Sequence, residues 1–405
     1  MAQRLRLRGI AQNLPRRTLG RVTFTCMDEA ERPDCFFVVT KNAEPIGDLD
    51  LAGYGAVLLE NNPNCTARDF DGLPLVRYDD DLAFIKKDSI LAINPDGHTF
   101  ILFRPESTNN TIFSTIECNS NCLMCSQPPA LSKDESVVQE HLRLIDLIKT
   151  PPESIGITGG EPTLLKDGLV SIISRLRDRF PDTLVHMLTN GRMYAYEDFV
   201  ARVASVKHPY FTSAVPLYSD IAAEHDYIVQ AKGAFDETVT GLYNAAKHGL
   251  RIEVRVVLHK QSLPRLKNLA EFIYRNLPFV QHIALMGLEN MGYVKTNWTL
   301  LWEDPVDYVS SLEETVRYLF YRRMNVSIYN LQLCLLPQAL WGFARQSISD
   351  FKNIYLDECE RCDVKSKCGG LFKSSESRHS RGLRSIHLQE PHAHSSSVNN
   401  PGICQ

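Results

Sequence analysis

The sequence predicts an α/β fold in which six strand–helix units follow one another, between a β-rich N-terminal module and a cysteine-rich C-terminal region. Three observations carry this reading. From about residue 111 onward, short strand-like apolar runs alternate with segments of helical period. The first 110 residues carry short apolar runs between turn signals instead. Near the C-terminus, cysteines crowd into an otherwise polar stretch.

The strand-like runs are 111–117, 154–159, 184–189, 211–217, 252–259 and 280–287. Between them Leu169, Val170, Ile173 and Leu176 recur at helical spacing, as do Leu266, Leu269, Ala270 and Ile273. Six such units in series require parallel strands joined by right-handed crossovers, which gives a barrel or an open sheet; periodicity does not separate the two. In either, the loops after the strand C-termini hold the chemistry. Upstream, 35–40, 55–59 and 99–103 read as strands, with Asn62-Pro63 and Pro95-Asp96-Gly97 as turns. The expected layout is a β-rich module over 1–110, the strand–helix region over 111–325 and a cysteine-rich region over 326–386. A tail over 387–405, rich in Ser, His, Pro and Asn, reads as disordered.

A chain of 405 residues with 44% hydrophobic content has ample material for a core. Its net charge of −4 gives no general reason to expect nucleic acid or a membrane surface as partner. No run of 18 or more apolar residues appears, so no membrane span is expected. The arginine-rich start lacks the apolar core of a secretory signal and reads as a solvated basic opening to a small domain. Eleven cysteines in a chain of enzyme size, most of them grouped as metal ligands would be, imply a reducing, cytoplasmic setting.

Cys118, Cys122 and Cys125 stand as C-N-S-N-C-L-M-C directly after the first strand-like run. Three thiolates at this spacing reach three corners of a cubane [4Fe–4S] cluster, which ordinarily takes four. No fourth cysteine lies nearby, so one iron keeps an open position for a bidentate ligand. Zinc is the alternative, although zinc loops usually pair cysteines and close a tetrahedron. One strand–helix unit later comes G-I-T-G-G-E-P over 156–162. Its glycines allow close backbone approach, and Glu161 can accept from an ammonium group. Cys334, Cys359, Cys362 and Cys368 form a second candidate metal site, for which iron–sulfur and zinc both remain open. Cys26, Cys35, Cys65 and Cys404 show no ligand spacing, and no catalytic side chain announces itself.

Together, the cysteine spacing and the G-G-E-P stretch resemble the radical S-adenosylmethionine (SAM) superfamily. The resemblance implies a partial (β/α)6 barrel, a [4Fe–4S] cluster on Cys118, Cys122 and Cys125, and SAM in contact with Gly159, Gly160 and Glu161. It further implies cofactor contacts from Asn190, Ser219 and Arg255. Met124 departs from the pattern, because the family usually has an aromatic residue before the third cysteine. The C-terminal spacing is similar to the auxiliary-cluster domains called SPASM and twitch, which implies a second [4Fe–4S] cluster. Phe372 stands where the full SPASM pattern has another cysteine, so one such cluster is expected rather than two.

Longer stretches resemble a narrower family. E-C-N-S-N-C-L-M-C-S-Q-P-P over 117–129, G-I-T-G-G-E-P-T-L over 156–164, Q-S-I-S-D-F-K over 346–352 and C-G-G-L-F over 368–372 are similar to the C-type radical maturases of the His-Xaa-Ser system, as is R-H-S-R-G-L over 378–383. That resemblance implies radical modification of a ribosomally made precursor with His-Xaa-Ser repeats. It also implies a flavodoxin- or ferredoxin-type reductant and a second maturase of the same system as partners. Two other readings stay open: a radical SAM enzyme acting on a small molecule in cofactor biosynthesis, and a zinc-binding structural protein.

Overall fold

The computed structural model describes residues 5–41, 50–61, 70–131, 136–346 and 354–388. Cys65, Cys404, the turn at Asn62-Pro63, most of the 346–352 stretch and all but the start of the expected tail lie outside the described residues.

The N-terminal sheet is built from β1 (Arg6–Arg8), β2 (Ile10–Gln12), β3 (Thr18–Thr23), β4 (Cys35–Val39), β5 (Ala56–Glu60), β6 (Leu75–Tyr78), β7 (Ile90–Ile93) and β8 (His98–Phe103). Their order across the sheet is β1-β8-β7-β3-β4-β5-β6-β2. The two outer strands, β1 and β2, are consecutive and separated only by Gly9, so one extended segment pairs with both edges and closes the sheet on itself. Gly9 makes the closure sterically feasible: a Cβ there would lie 2.5 Å from the Arg77 carbonyl oxygen. Inside, Val22, Phe36, Leu58, Val76 and Leu91 are buried together from five different strands.

The second sheet is parallel throughout and ordered as the chain runs: β9 (Asn109–Phe113), β10 (Ser154–Thr158), β11 (Leu184–Leu188), β12 (Phe211–Pro216), β13 (Arg251–Leu258), β14 (His282–Gly287) and β15 (Val326–Tyr329). The helices are α1 (Val137–Leu147), α2 (Asp167–Arg179), α3 (Glu197–Ser205), α4 (Ala222–Val229), α5 (Ala234–Lys247), α6 (Leu266–Asn276), α7 (Trp298–Leu301) and α8 (Pro305–Tyr321). Apolar residues of both layers, such as Ile157, Val254, Leu285, Leu169 and Leu312, merge into one core. This is the α/β architecture expected from the sequence, with one addition. The short strand β15 is followed by 3₁₀ turns rather than a helix, so its four residues carry no strand–helix signal.

The closed sheet is fastened to the parallel one through α1. Arg17 donates to both carboxylate oxygens of Glu140 at 2.6 and 2.8 Å, Lys149 donates to Glu31 at 2.6 Å, and Ile90 and Phe103 join the larger core. Since α1 begins shortly after the cysteine loop, the N-terminal sheet braces the helix that leaves the site. No helix among the described residues is long and apolar enough to cross a membrane.

Candidate metal and cofactor site

Cys118, Cys122 and Cys125 lie on the loop between β9 and α1, at the C-terminal end of the parallel sheet. The loop is held from three sides. Asn121 and Leu123 donate their backbone N–H groups to the Val229 and Ile228 carbonyls at the end of α4, both at 3.0 Å. Tyr293 N–H donates to the Cys125 carbonyl at 2.9 Å, and Asn297 Nδ2 to the Leu123 carbonyl at 2.8 Å. Arg192 Nη1 donates to the Asn119 carbonyl and, at 3.1 Å, to Ser120 Oγ, while its Nε pairs with Glu237 at 2.5 Å. No motif points to Arg192, Tyr293 or Asn297; only the placement of Arg192 directly after Asn190-Gly191 offers a clue.

The Gly-Gly pair packs against the cysteine loop itself. Gly160 N–H donates to the Thr115 carbonyl at 2.6 Å and Glu161 N–H to the Glu117 carbonyl at 2.7 Å. A Cβ at Gly160 would sit 2.1 Å from the Glu117 oxygen, and one at Gly159 (φ +144°) 2.4 Å from the Thr115 oxygen. The glycines therefore permit close approach between two protein backbones. Among the described residues, the carbonyls of Gly159 and Gly160 accept no hydrogen bond.

The structure places Glu161 differently from a residue presenting its carboxylate to a ligand. Its side chain is fully buried. Oε1 accepts from Thr163 N–H at 3.0 Å, Thr163 Oγ1 at 2.5 Å and Thr189 Oγ1 at 2.6 Å; Oε2 accepts from Asn190 N–H at 2.6 Å. Burial pushes its carboxyl up, and the hydrogen bonds from Thr163, Thr189 and Asn190 oppose that shift. Asn190 and Ser219 are occupied too. Asn190 Nδ2 donates to Asn119 Oδ1 at 2.6 Å, and Ser219 Oγ donates to Glu224 at 2.7 Å while accepting from Ile221 N–H at 3.1 Å. Arg255 projects inside the sheet, where its Nε and Nη2 reach the Met286 thioether at 3.2 and 2.9 Å. Met124 is buried beside Tyr218, Ile228 and Val294, anchoring the underside of the loop.

The donor set fits a cubane. Cys118 and Cys122 each feel the charge of Cys125, so the three thiols share one locality. Burial pushes Cys118 up to about 11 and Cys122 up to about 12, so the protein alone keeps them protonated and a bound metal must draw off the protons. Among the described residues, no three His, Cys, Asp or Glu side chains converge as ligands of a single ion. A cubane asks for something else, because each thiolate binds a different iron and the sulfurs stand further apart.

Cys334, Cys359, Cys362 and Cys368 come together although the last stands 34 positions after the first. All four line one small cavity of about 20 Å³, with Tyr355, Lys365 and Arg384 beside them. Backbone N–H groups of Leu333 and Ile386 point at Cys368 Sγ (3.5 Å) and Cys362 Sγ (3.4 Å). The R-H-S-R-G-L stretch holds this wall in place: Ser380 Oγ donates to Asp304, and Arg381 pairs with Asp304 and Asp307.

Residues 112–273 match the family model described as the Radical SAM superfamily. A probable GTP 3′,8-cyclase from Pyrococcus abyssi is 36% identical over 86 residues, 21% of this chain and 27% of that protein. A probable GTP 3′,8-cyclase from Sulfurisphaera tokodaii is 24% identical over 214 residues, 52% of this chain and 63% of that protein. The chain thus spans less than two thirds of either relative. Among solved structures, Streptococcus suis SuiB bound to S-adenosylmethionine superposes with a TM-score of 0.45 at 17% identity, covering 56% of this chain and 50% of that one. Taken with the cysteine loop and the turn packed against it, the family match makes residues 112–273 a radical SAM superfamily domain.

Proposed function

We propose that this chain is a radical SAM maturase that modifies a ribosomally made precursor carrying His-Xaa-Ser repeats. The observation that carries the proposal is the second cysteine site. Beyond the superfamily domain, four thiols gather at one cavity, and the segments that build and brace it are those that resemble the His-Xaa-Ser maturases.

When bound, the reduced cluster and SAM supply a 5′-deoxyadenosyl radical able to take a hydrogen atom from a substrate carbon. Cys118, Cys122 and Cys125 would hold three irons and leave the fourth for SAM. The Gly159 and Gly160 carbonyls are the acceptors available to the SAM ammonium group, and Arg255 is the cation for its carboxylate. Glu161 and Asn190 act one step back by fixing the cysteine loop against the turn. Cys334, Cys359, Cys362 and Cys368 would hold a second, fully ligated centre, suited to receiving an electron when a new bond forms. The partners in this reading are the precursor, a second maturase of the same system and a flavodoxin- or ferredoxin-type reductant, in the cytoplasm.

Co-expression with a His-Xaa-Ser precursor tests this. A cross-link appears as a loss of about two hydrogens and epimerisation as a gain of about one mass unit per event in deuterium oxide, on radical stoichiometry. Either change must disappear when Cys118, Cys122 and Cys125 are replaced. An unmodified precursor beside active SAM cleavage favours the second reading, a small-molecule enzyme. Similarity to two probable GTP 3′,8-cyclases supports that alternative.

A further inference from the structure

Strand alternation decides what faces the inside of the parallel sheet. On β13, Ile252, Val254, Val256 and Leu258 lie in the core beneath the helices, so Glu253 and Arg255 face the other side of the sheet, here called the lumen. The same parity on β11, β14 and β15, where Val185, Met187, Ile283, Leu285, Val326 and Ile328 take the core side, turns His186, His282 and Ser327 inward.

These lumenal groups form one network. Glu253 Oε2 lies 2.8 Å from His282 Nδ1, and Glu253 Oε1 lies 3.4 Å from His186 Nε2. His282 Nε2 is 3.0 Å from Ser327 Oγ, so both of its nitrogens are used. Burial would raise the Glu253 carboxyl, but hydrogen bonds from His186 and His282 outweigh it and hold the group well below the usual carboxylate range. Glu253 is thus an anion, and the imidazole nitrogens facing it are donors. With its Nε2–H directed at Glu253, His186 has Nδ1 left to face the lumen, and in that tautomer Nδ1 is an acceptor. That nitrogen has no partner among the described residues, and the His186 side chain is 33% exposed.

Position in the lumen gives this acceptor a use. In the sheet register His186 lies between Gly156 and Thr212, and Glu253 pairs with Ala214, so the wall is low at Gly156 and at Ala214. Arg255 sits two residues further along β13, about 7 Å toward the cysteine loop, with Nε 3.7 Å from Glu253 Oε1. One carboxylate therefore orients a cation on the cofactor side and an imidazole on the side away from it.

We propose that His186, positioned by Glu253, accepts a hydrogen bond from the reacting side chain of the substrate, which therefore carries a hydroxyl or an imidazole N–H. The proposal rests on the peptide reading and names the kind of side chain that enters the lumen. An aliphatic side chain would close the lumen over an unsatisfied acceptor, which is unfavourable.

The test is a double-mutant cycle read by calorimetric binding to the anaerobically reconstituted, SAM-loaded enzyme. The probes are a synthetic peptide with His-Xaa-Ser repeats, the same peptide with each repeat serine replaced by alanine, and a third with each repeat histidine replaced by phenylalanine. His186→Phe should weaken the parent peptide about tenfold, the worth of a lost hydrogen bond with its buried partner left unpaired. One of the two altered peptides should be almost indifferent to that change. His186→Leu, smaller and equally without an acceptor, repeats the cycle should the phenylalanine variant fold poorly. Equal weakening of all three peptides, or no weakening of any, overturns the proposal. A parent peptide that fails to bind the unaltered enzyme overturns the peptide reading and the proposal with it, and needs no variant to be seen.

Discussion

The Glu161 carboxylate accepts the backbone N–H of Asn190 at 2.6 Å, and Asn190 in turn donates its side-chain amide to Asn119 at 2.6 Å. Through these two bonds the loops after β10 and β11 clamp the loop that carries the three cysteines. Glu161→Gln replaces one oxygen of a buried, four-donor acceptor with an NH₂ group, leaving at least one donor unpaired. A loss of about 2–3 kcal/mol in folding stability is expected, with reduced iron retention. Urea unfolding and iron analysis measure both. A variant that keeps full stability and iron but binds SAM more weakly would return Glu161 to direct contact with the ligand.

Gly160→Ala is expected to dislodge the cysteine loop, because the new methyl would meet the Glu117 carbonyl oxygen at 2.1 Å. The folded protein should lose the iron held by Cys118, Cys122 and Cys125 and produce no 5′-deoxyadenosine. Gly342→Ala, where a Cβ meets nothing within 4 Å, serves as the control and should retain both.

Glu253 should leave a mark on the acid side of the stability profile. Its carboxyl is held below the ordinary 4.5, so the ionised form stabilises the fold at neutral pH. That contribution is complete above the unfolded-state value and is lost as pH falls through it toward the folded-state value. The stability difference between the unaltered protein and Glu253→Gln should therefore stay level from pH 7 to about 5.5 and shrink below about 4.5. Urea midpoints across that range report it, and a difference independent of pH would mean that Glu253 is not ionised in the lumen.

The second cysteine site is expected to bind iron and sulfide beyond what the first site holds. Cys362→Ser should remove that increment while leaving 5′-deoxyadenosine formation by the first site intact. Metal analysis on anaerobically purified protein decides the matter, since zinc in place of iron would reassign these four cysteines to a structural role.

Much of this arrangement was legible in the sequence, for reasons that particular residues make clear. The strands bearing Ile157, Val254 and Leu285 announce themselves because each is a short apolar run followed by a helix of the right period. Cys118, Cys122 and Cys125 are readable because cluster ligation is local in sequence. What escaped depends on contacts between distant segments. The two strands on either side of Gly9 close the N-terminal sheet by pairing with strands some 90 and some 65 residues downstream, which no local pattern encodes. Glu161 read as a ligand contact, since the motif gives its neighbours in sequence but not Thr189 and Asn190, which occupy it. His186 and His282 each sit singly in an apolar strand, and Glu253 stands between two arginines in its own. Only the parity they share across three strands could have grouped them.

The central claim is that Cys118, Cys122 and Cys125 hold an open-sited cluster that works on SAM. The most direct measurement is 5′-deoxyadenosine formed by anaerobically reconstituted protein with dithionite and SAM, comparing the unaltered chain with the variant in which all three cysteines are alanine. Formation by the unaltered chain and none by the variant is the expected result. Equal formation by both, or none by the unaltered chain with its iron in place, would contradict it.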